Sequence, residues 1–136
     1  MKKLENFTNC LHDLKTADFE QTNHDVIYRM GIIGQFNLTF ELAWKALQVT
    51  LRVHGVESAG TGSPREILQL GYKTGFIDDQ NAWLLMLKKR NVIVHIYNED
   101  DAGEMLLLIR DSFIPAFEKL EKTLYEKIKE IEDDLP

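Results

Sequence analysis

The sequence predicts an all-α protein, an up-and-down bundle of four to five antiparallel helices. Its 136 residues include only three prolines and eight glycines, and these fall mainly where a helix is expected to begin or end. Between them, apolar residues recur at the spacing of amphipathic helices. With 44% hydrophobic residues, the chain fits one domain, residues 1–136, that buries a sizeable core without disulfides.

The first two helices are predicted by their apolar stripes. An amphipathic helix from about Leu4 to Phe19 has one such stripe. The next helix, from about His24 to His54, has two apolar sets: Met30, Ile33, Phe40, Trp44, Leu47 and Leu51, and Ile32, Phe36, Ala43 and Ala46. A helix with two apolar sides packs on more than one neighbour, so we expect the second helix at the centre of the bundle.

A short third helix is predicted by signals at its two ends. Residues 55–62 indicate a plain connecting loop, because no strand precedes them and the Gly-Lys-Ser/Thr ending of a P-loop is absent. Ser63, Pro64 and Glu66 then have the spacing of a capping box with proline at the first helical position. Gly75 suits the left-handed conformation just past a helix end.

Two further helices complete the prediction. Asp78 or Asp79 is a suitable N-cap for the fourth helix, which carries the segment 88–98. Cap residues from Asn98 onward precede the last helix. Pro115 is expected to kink that helix or split it in two, because proline lacks an amide hydrogen and clashes with the preceding turn.

The composition excludes several function classes. A net charge of −6 and a pI near 5.2 argue against a broad nucleic-acid surface, so any such contact must be local, at Lys88, Lys89 and Arg90. Cys10 is the only cysteine and the histidines lack metal-ligand spacing, so we expect no metal and no cofactor. With no signal peptide and no run of roughly 20 apolar residues, we expect a cytoplasmic protein without membrane contact.

The segment 88–98, Lys-Lys-Arg-Asn-Val-Ile-Val-His-Ile-Tyr-Asn, carries the candidate chemistry. Arg90 offers a fixed fork of donors to phosphate oxygens, and His95 titrates near neutrality. The two suit metal-independent RNA cleavage, in which a 2′-hydroxyl loses a proton while the phosphate gains negative charge. Asn91 is suited to hold the imidazole tautomer or donate to phosphate, and Tyr97 to stack or hydrogen-bond. The alternative is a capping histidine beside solvated basic residues.

Helical geometry argues for two copies of this segment. At about 100° per residue, Asn91 and His95 lie about 40° apart, whereas Arg90 and His95 are separated by about 140° around the axis. Arg90 then meets His95 only if its side chain wraps round, the helix bends, or a second chain completes the group across a two-fold axis. We favour the dimer.

A polar seam interrupts the second helix. Asn37 and Glu41 lie one turn apart within its apolar pattern. They can face a dimer cleft or pair with Arg90, but a helix pair between Glu41 and Lys45 is favoured. The candidate substrate-binding residues are Lys88, Lys89, Asn98 and Glu41.

The order Arg90, Asn91, His95 and Tyr97 resembles the signature of the HEPN superfamily, seen in toxins of HEPN/MNT toxin-antitoxin systems. Further blocks resemble one branch, the nucleotidyltransferase substrate-binding protein family, over about residues 4–125. These blocks are Phe40-Glu41-Leu42-Ala43-Trp44-Lys45, Ser63-Pro64-Arg65-Glu66, and Asp78-Asp79 followed by Trp83 and Met86-Leu87.

The resemblance implies a homodimeric helical bundle paired with a separately encoded minimal nucleotidyltransferase, with a heterotetramer expected. It implies that Arg90 and His95 are the RNase pair of the toxin members. It also implies that Tyr97 is the tyrosine to which the partner attaches AMP, which would silence the toxin. The first hypothesis is therefore a partner-controlled endoribonuclease, and the alternative is a non-catalytic subunit that binds RNA or nucleotide substrate for the transferase.

Overall fold

The computed structural model describes residues 2–92 and 99–133, with side chains described except at 91, 92, 99 and 100. In this part of the chain every regular element is helical, so the predicted all-α class is confirmed. The helices are α1 (Lys2–Lys15), α2 (Val26–Val53), α3 (Pro64–Lys73), α4 (Gln80–Val92), α5 (Glu99–Leu108) and α6 (Ile114–Asp133).

Short polar side chains set the start of α2. The helix α1 ends at Lys15, four residues before the predicted end at Phe19, which begins a separate 3₁₀ turn, Phe19–Asn23. Asp25 then caps α2, accepting a hydrogen bond from the amide of Tyr28 at 3.1 Å. A carboxylate there satisfies an amide that has no partner within the helix.

Both predicted ends of α3 are confirmed. The Ser63 hydroxyl accepts from the Glu66 amide at 3.2 Å, and the Glu66 carboxylate accepts from the Ser63 amide at 3.4 Å, which completes the capping box. At the other end Gly75 has a φ of +83°. The amide of Phe76 bonds the carbonyl of Gly71 at 2.8 Å, so the chain reverses in a Schellman turn toward α4.

The core forms around α2, as its two apolar sides predict. Phe36 of α2 stacks on Phe113 with ring centroids 5.1 Å apart. Phe117 of α6 meets Phe7 of α1 and Trp83 of α4 edge-on. Trp83 is only 2% exposed, which agrees with its prediction as a core residue. Aromatic side chains from four helices thus fix the position of α4 against α2.

Pro115 does not end the last helix. A π-helical turn, Ile109–Phe113, joins α5 to α6, and the amide of Ile114 bonds the carbonyl of Ile109. Proline removes one helical donor and its ring would crowd the carbonyl four residues before it, and a wider turn relieves that crowding. The distortion that Pro115 predicts thus takes the form of a widened turn, and the chain stays helical from α5 through this turn into α6.

Candidate functional site

Arg90 lies in the last turn of α4 and its guanidinium reaches α2. Its Nη1 forms an ion pair and hydrogen bond with Oε1 of Glu41, 49 residues earlier in the chain. The guanidinium carbon lies 5.4 Å from the ring centroid of Phe40. The side chain of Arg90 is 21% exposed and that of Glu41 is 33% exposed. The charged group therefore sits at the rim of the helix interface, within reach of solvent.

Glu41 is itself held in place. Its second oxygen, Oε2, accepts a hydrogen bond from the indole Nε1 of Trp44 at 3.1 Å. The favoured pairing of Glu41 with Lys45 is wrong, and the alternative pairing with Arg90 is confirmed. Lys45 instead places its Nζ 5.9 Å from the ring centroid of Trp44. An i,i+4 pair contributes only a few tenths of a kcal/mol, so a tertiary contact readily overrides it.

Asn37 forms the other half of the polar seam. The side-chain oxygen of Asn37, one turn before Glu41, is buried and has no hydrogen-bond partner in the described part of the protein. The sequence pattern singles out Asn37 and Glu41 as polar residues, whereas it places Phe40 only in the apolar core stripe. The sequence pattern does not predict that Phe40 also contacts Arg90, because tertiary packing decides which residue of α4 lies beside Phe40.

The basic cluster divides by exposure. Lys88 is exposed, while Lys89 and Arg90 are half-buried at the end of α4. The described residues thus bring Arg90 and Glu41 together and leave Lys88 directed to solvent. The predictions for the side chain of Asn91, and for His95, Tyr97 and Asn98, lie outside the described residues and stay predictions.

An exposed apolar stripe on α2 leads to this site. It consists of Ile27, Met30, Gly34 and Leu38, at spacings that place them on one side of the helix. Ile27 is 81% exposed and Leu38 is 51% exposed. Glu41 follows Leu38 by three residues and so continues the same side. The ion pair of Arg90 and Glu41 therefore lies next to the exposed apolar stripe of α2.

A separate cleft of about 520 Å³ lies at the other end of α4, against α6. Lys119 and Asp78, which both line this cleft, form an ion pair at 2.8 Å. The hydrogen bond from Lys119 lowers the pKa of Asp78, and the same contact raises the pKa of Lys119. Of the two candidate N-caps of α4, Asp78 and Asp79, it is Asp79 whose carboxylate accepts a hydrogen bond from the amide of Ala82, at 3.2 Å. Neighbouring aspartates thus have different roles.

Metal-binding clusters and membrane spans are both absent from the described ranges, 2–92 and 99–133. Within them, no three His, Cys, Asp or Glu side chains are arranged to hold a metal ion. No helix in the same ranges has the length and apolar content to cross a bilayer.

The fold and the site define an all-helical bundle with an arginine-centred polar group at the end of α4. The family model described as nucleotidyltransferase substrate binding protein like matches residues 2–126, and the chain belongs to this family. The family suggests a helical substrate-binding subunit that associates with a nucleotidyltransferase.

A similar fold has been solved for a protein from Thermus thermophilus. That crystal structure has a TM-score of 0.70 and 26% sequence identity, over 90% of this chain and 98% of the other. Among curated proteins, none matches the chain significantly.

Proposed function

We propose that this protein is a metal-independent endoribonuclease of the HEPN type that works with, and is neutralised by, a partner nucleotidyltransferase. The observation that carries the proposal is the placement of Arg90, held by Glu41 at the rim of α2 and α4 and partly open to solvent. The family supports the transferase partnership. The resemblance over Arg90, Asn91, His95 and Tyr97 supports the RNase activity.

The proposed reaction uses the RNA's own 2′-hydroxyl as nucleophile. His95 accepts the hydroxyl proton, the oxygen attacks the adjacent phosphorus, and the bond to the 5′-oxygen breaks as that oxygen takes a proton from water. The products are a 2′,3′-cyclic phosphate and a 5′-hydroxyl. The guanidinium of Arg90 stabilises the negative charge that develops on the phosphate oxygens, and Asn91 orients the imidazole or donates to phosphate. Lys88, Lys89 and Asn98 are proposed to guide the RNA strand.

We propose that the active form is a homodimer in which two α2 helices meet through the stripe of Ile27, Met30, Gly34 and Leu38. Covering apolar side chains this exposed with a second surface is favourable, because it removes apolar area from water. Gly34 presents no side chain, so two backbones can approach closely at that point. The contact would bring the Arg90 groups of two protomers to the same face of the assembly.

The partner enzyme is proposed to act on Tyr97. Attachment of AMP to this phenol would add negative charge and bulk beside His95, where the RNA phosphate must bind. Incubation of both proteins with ATP and magnesium, followed by intact-mass measurement, tests the site. The gain of one AMP should be lost in Tyr97→Phe and kept in Tyr72→Phe, whose tyrosine is exposed on α3. A gain that survives Tyr97→Phe refutes the attachment site.

The second candidate is a non-catalytic subunit that binds RNA or nucleotide for the transferase. The family description favours it, and so does the net charge of −6, which weakens general RNA attraction. Purified protein incubated with total cellular RNA in EDTA separates the two candidates. The RNase proposal expects cleavage that falls strongly in Arg90→Lys, because a lysine lacks the fork of donors. Absence of cleavage by the unaltered protein, with RNA or nucleotide binding retained, supports the second candidate.

A further inference from the structure

We propose that Glu41 is a positioning residue that fixes the guanidinium of Arg90 for the RNA phosphate. This inference rests on the proposed function, in which Arg90 stabilises the phosphate during cleavage. The sequence alone predicts that Glu41 contacts the substrate. Its observed contacts assign it instead to a role that acts through Arg90.

Two side chains of α2 contact the guanidinium, and a third holds one of these two in place. Phe40 lies beneath its charged carbon at 5.4 Å from the ring centroid, and Glu41 engages Nη1 at the edge. Trp44 donates its indole hydrogen to the far oxygen of the same carboxylate at 3.1 Å. Each contact restricts a different motion: the ring limits tilt, the carboxylate limits rotation, and the indole fixes the carboxylate. Together these three residues are the α2 cradle.

The α2 cradle is better explained by positioning than by stability. Both charges of the pair are partly open to solvent, and pairs of this kind contribute little to folding. Phe40 is fully buried and Trp44 is half-buried, so the elements that support the pair are more rigid than the pair itself. A flexible arginine fixed on rigid neighbours is the arrangement that oriented phosphate binding requires.

The opposite role for Glu41 is competition. A carboxylate beside a guanidinium can occupy the place that a phosphate oxygen would take and reduce attraction for RNA. The two roles predict opposite effects. If Glu41 positions Arg90, its removal slows cleavage; if it competes with phosphate, its removal accelerates cleavage or tightens RNA binding.

Cleavage kinetics on a short RNA in EDTA distinguish these roles. Glu41→Ala should lower kcat by on the order of 10- to 100-fold, with a smaller change in KM, because misplacement affects the transition state most. Glu41→Gln, which keeps an oxygen acceptor, should recover part of the rate, and Trp44→Phe should lose less than Glu41→Ala. Glu126→Gln, an exposed carboxylate on α6, is the matched control and should be unchanged. An unchanged or higher kcat in Glu41→Ala overturns the proposal.

A second measurement does not depend on RNase activity. Side-chain nitrogen NMR, with the Arg90 signal assigned from Arg90→Lys, reports rotation of the guanidinium. Rotation should be faster in Glu41→Ala than in the unaltered protein and in Glu126→Gln. If the protein does not cleave RNA but rotation is faster, the RNase function fails and the positioning contact stands. Equal rotation rates in Glu41→Ala and the unaltered protein overturn the positioning role in either case.

Discussion

At the scale of single residues, the contact between α3 and α2 depends on a missing side chain. A Cβ added at Gly71 would lie 2.9 Å from Cδ2 of Leu47 and 3.2 Å from Cδ1 of Ile77. Leu47 is fully buried and Ile77 is nearly so, so neither moves freely. Gly71 therefore sets how closely α3 approaches α2, and with it the path of the Schellman turn into α4.

Gly71→Ala is predicted to destabilise the fold by about 1–3 kcal/mol, the usual cost of overpacking a core. Urea unfolding followed by circular dichroism measures the change. The double variant Gly71→Ala with Leu47→Ala should lose less stability than the two single variants lose in sum. The shortened side chain at position 47 leaves room for the new methyl group. Additive losses, or an alanine variant as stable as the unaltered protein, would show that the approach at Gly71 is not tight.

The ion pair between Asp78 and Lys119 makes a pH-dependent contribution to the free energy of unfolding. Because the pKa of Asp78 is lowered in the folded protein, its contribution is present above the unfolded pKa and is lost as pH falls through the folded value. Asp78→Asn should therefore reduce stability at pH 7 and have little effect once the carboxylate is protonated in both states. The raised pKa of Lys119 has the opposite sense, with its contribution lost only in strongly alkaline solution.

Urea titrations at pH 7 and at a pH low enough to protonate Asp78 in the folded protein measure this effect. Asp13→Asn, an exposed aspartate on α1, is the control and should show no loss at pH 7. Because the pair is exposed, the loss in Asp78→Asn should shrink in high salt. An equal loss at both pH values would mean that Asp78 does not stabilise the protein through its charge.

At the scale of elements, α3 depends on its N-terminal capping box. Ser63→Ala removes the acceptor for the Glu66 amide and should cost about 1 kcal/mol in unfolding free energy. Ser58→Ala is the matched control, since Ser58 is an exposed serine in the 3₁₀ turn Glu57–Gly60 that precedes α3, and its change should stay within about 0.5 kcal/mol. Similar losses in both variants would show that the hydroxyl of Ser63 has no special role.

The elements also show which features a sequence can predict. The capping box at Ser63 and the turn at Gly75 depend on residues a few positions apart, so their patterns predict them correctly. Pro115 predicts a distortion but not its form, because a kink, a break and the wide π turn Ile109–Phe113 can each relieve the crowding by the proline ring. The pairing of Glu41 with Arg90 joins two helices that are far apart in the sequence. Residue spacing therefore favours the local pair of Glu41 with Lys45 and leaves Arg90 as the less favoured alternative.

At the scale of the whole molecule, the proposed dimer depends on the α2 stripe. Leu38→Glu should convert the dimer to monomer, because a carboxylate would be buried against apolar side chains of the partner. Leu107→Glu is the matched control: Leu107 lies on α5 and is 53% exposed, against 51% for Leu38. Sedimentation velocity at micromolar concentration measures the change. A dimer that persists in Leu38→Glu but dissociates in Leu107→Glu would move the interface to α5.

The fold of the molecule follows from its helical pattern, whereas the site depends on how the helices meet. Two apolar sides correctly predict a central α2, and the spacing of Trp83 predicts a core residue. The α2 cradle could not be predicted in the same way, because Phe40 and Arg90 meet only once α4 has packed on α2. The geometry of Arg90 relative to His95 stays a prediction from helical rotation.

The proposed RNase function is tested most directly by cleavage of cellular RNA in EDTA by the unaltered protein and by His95→Ala. His12→Ala, an exposed histidine on α1, is the matched control. The proposal predicts cleavage by the unaltered protein and by His12→Ala, with products that end in cyclic phosphate, and a loss of at least about 100-fold in His95→Ala. Cleavage unchanged in His95→Ala, or no cleavage by the unaltered protein, would contradict it.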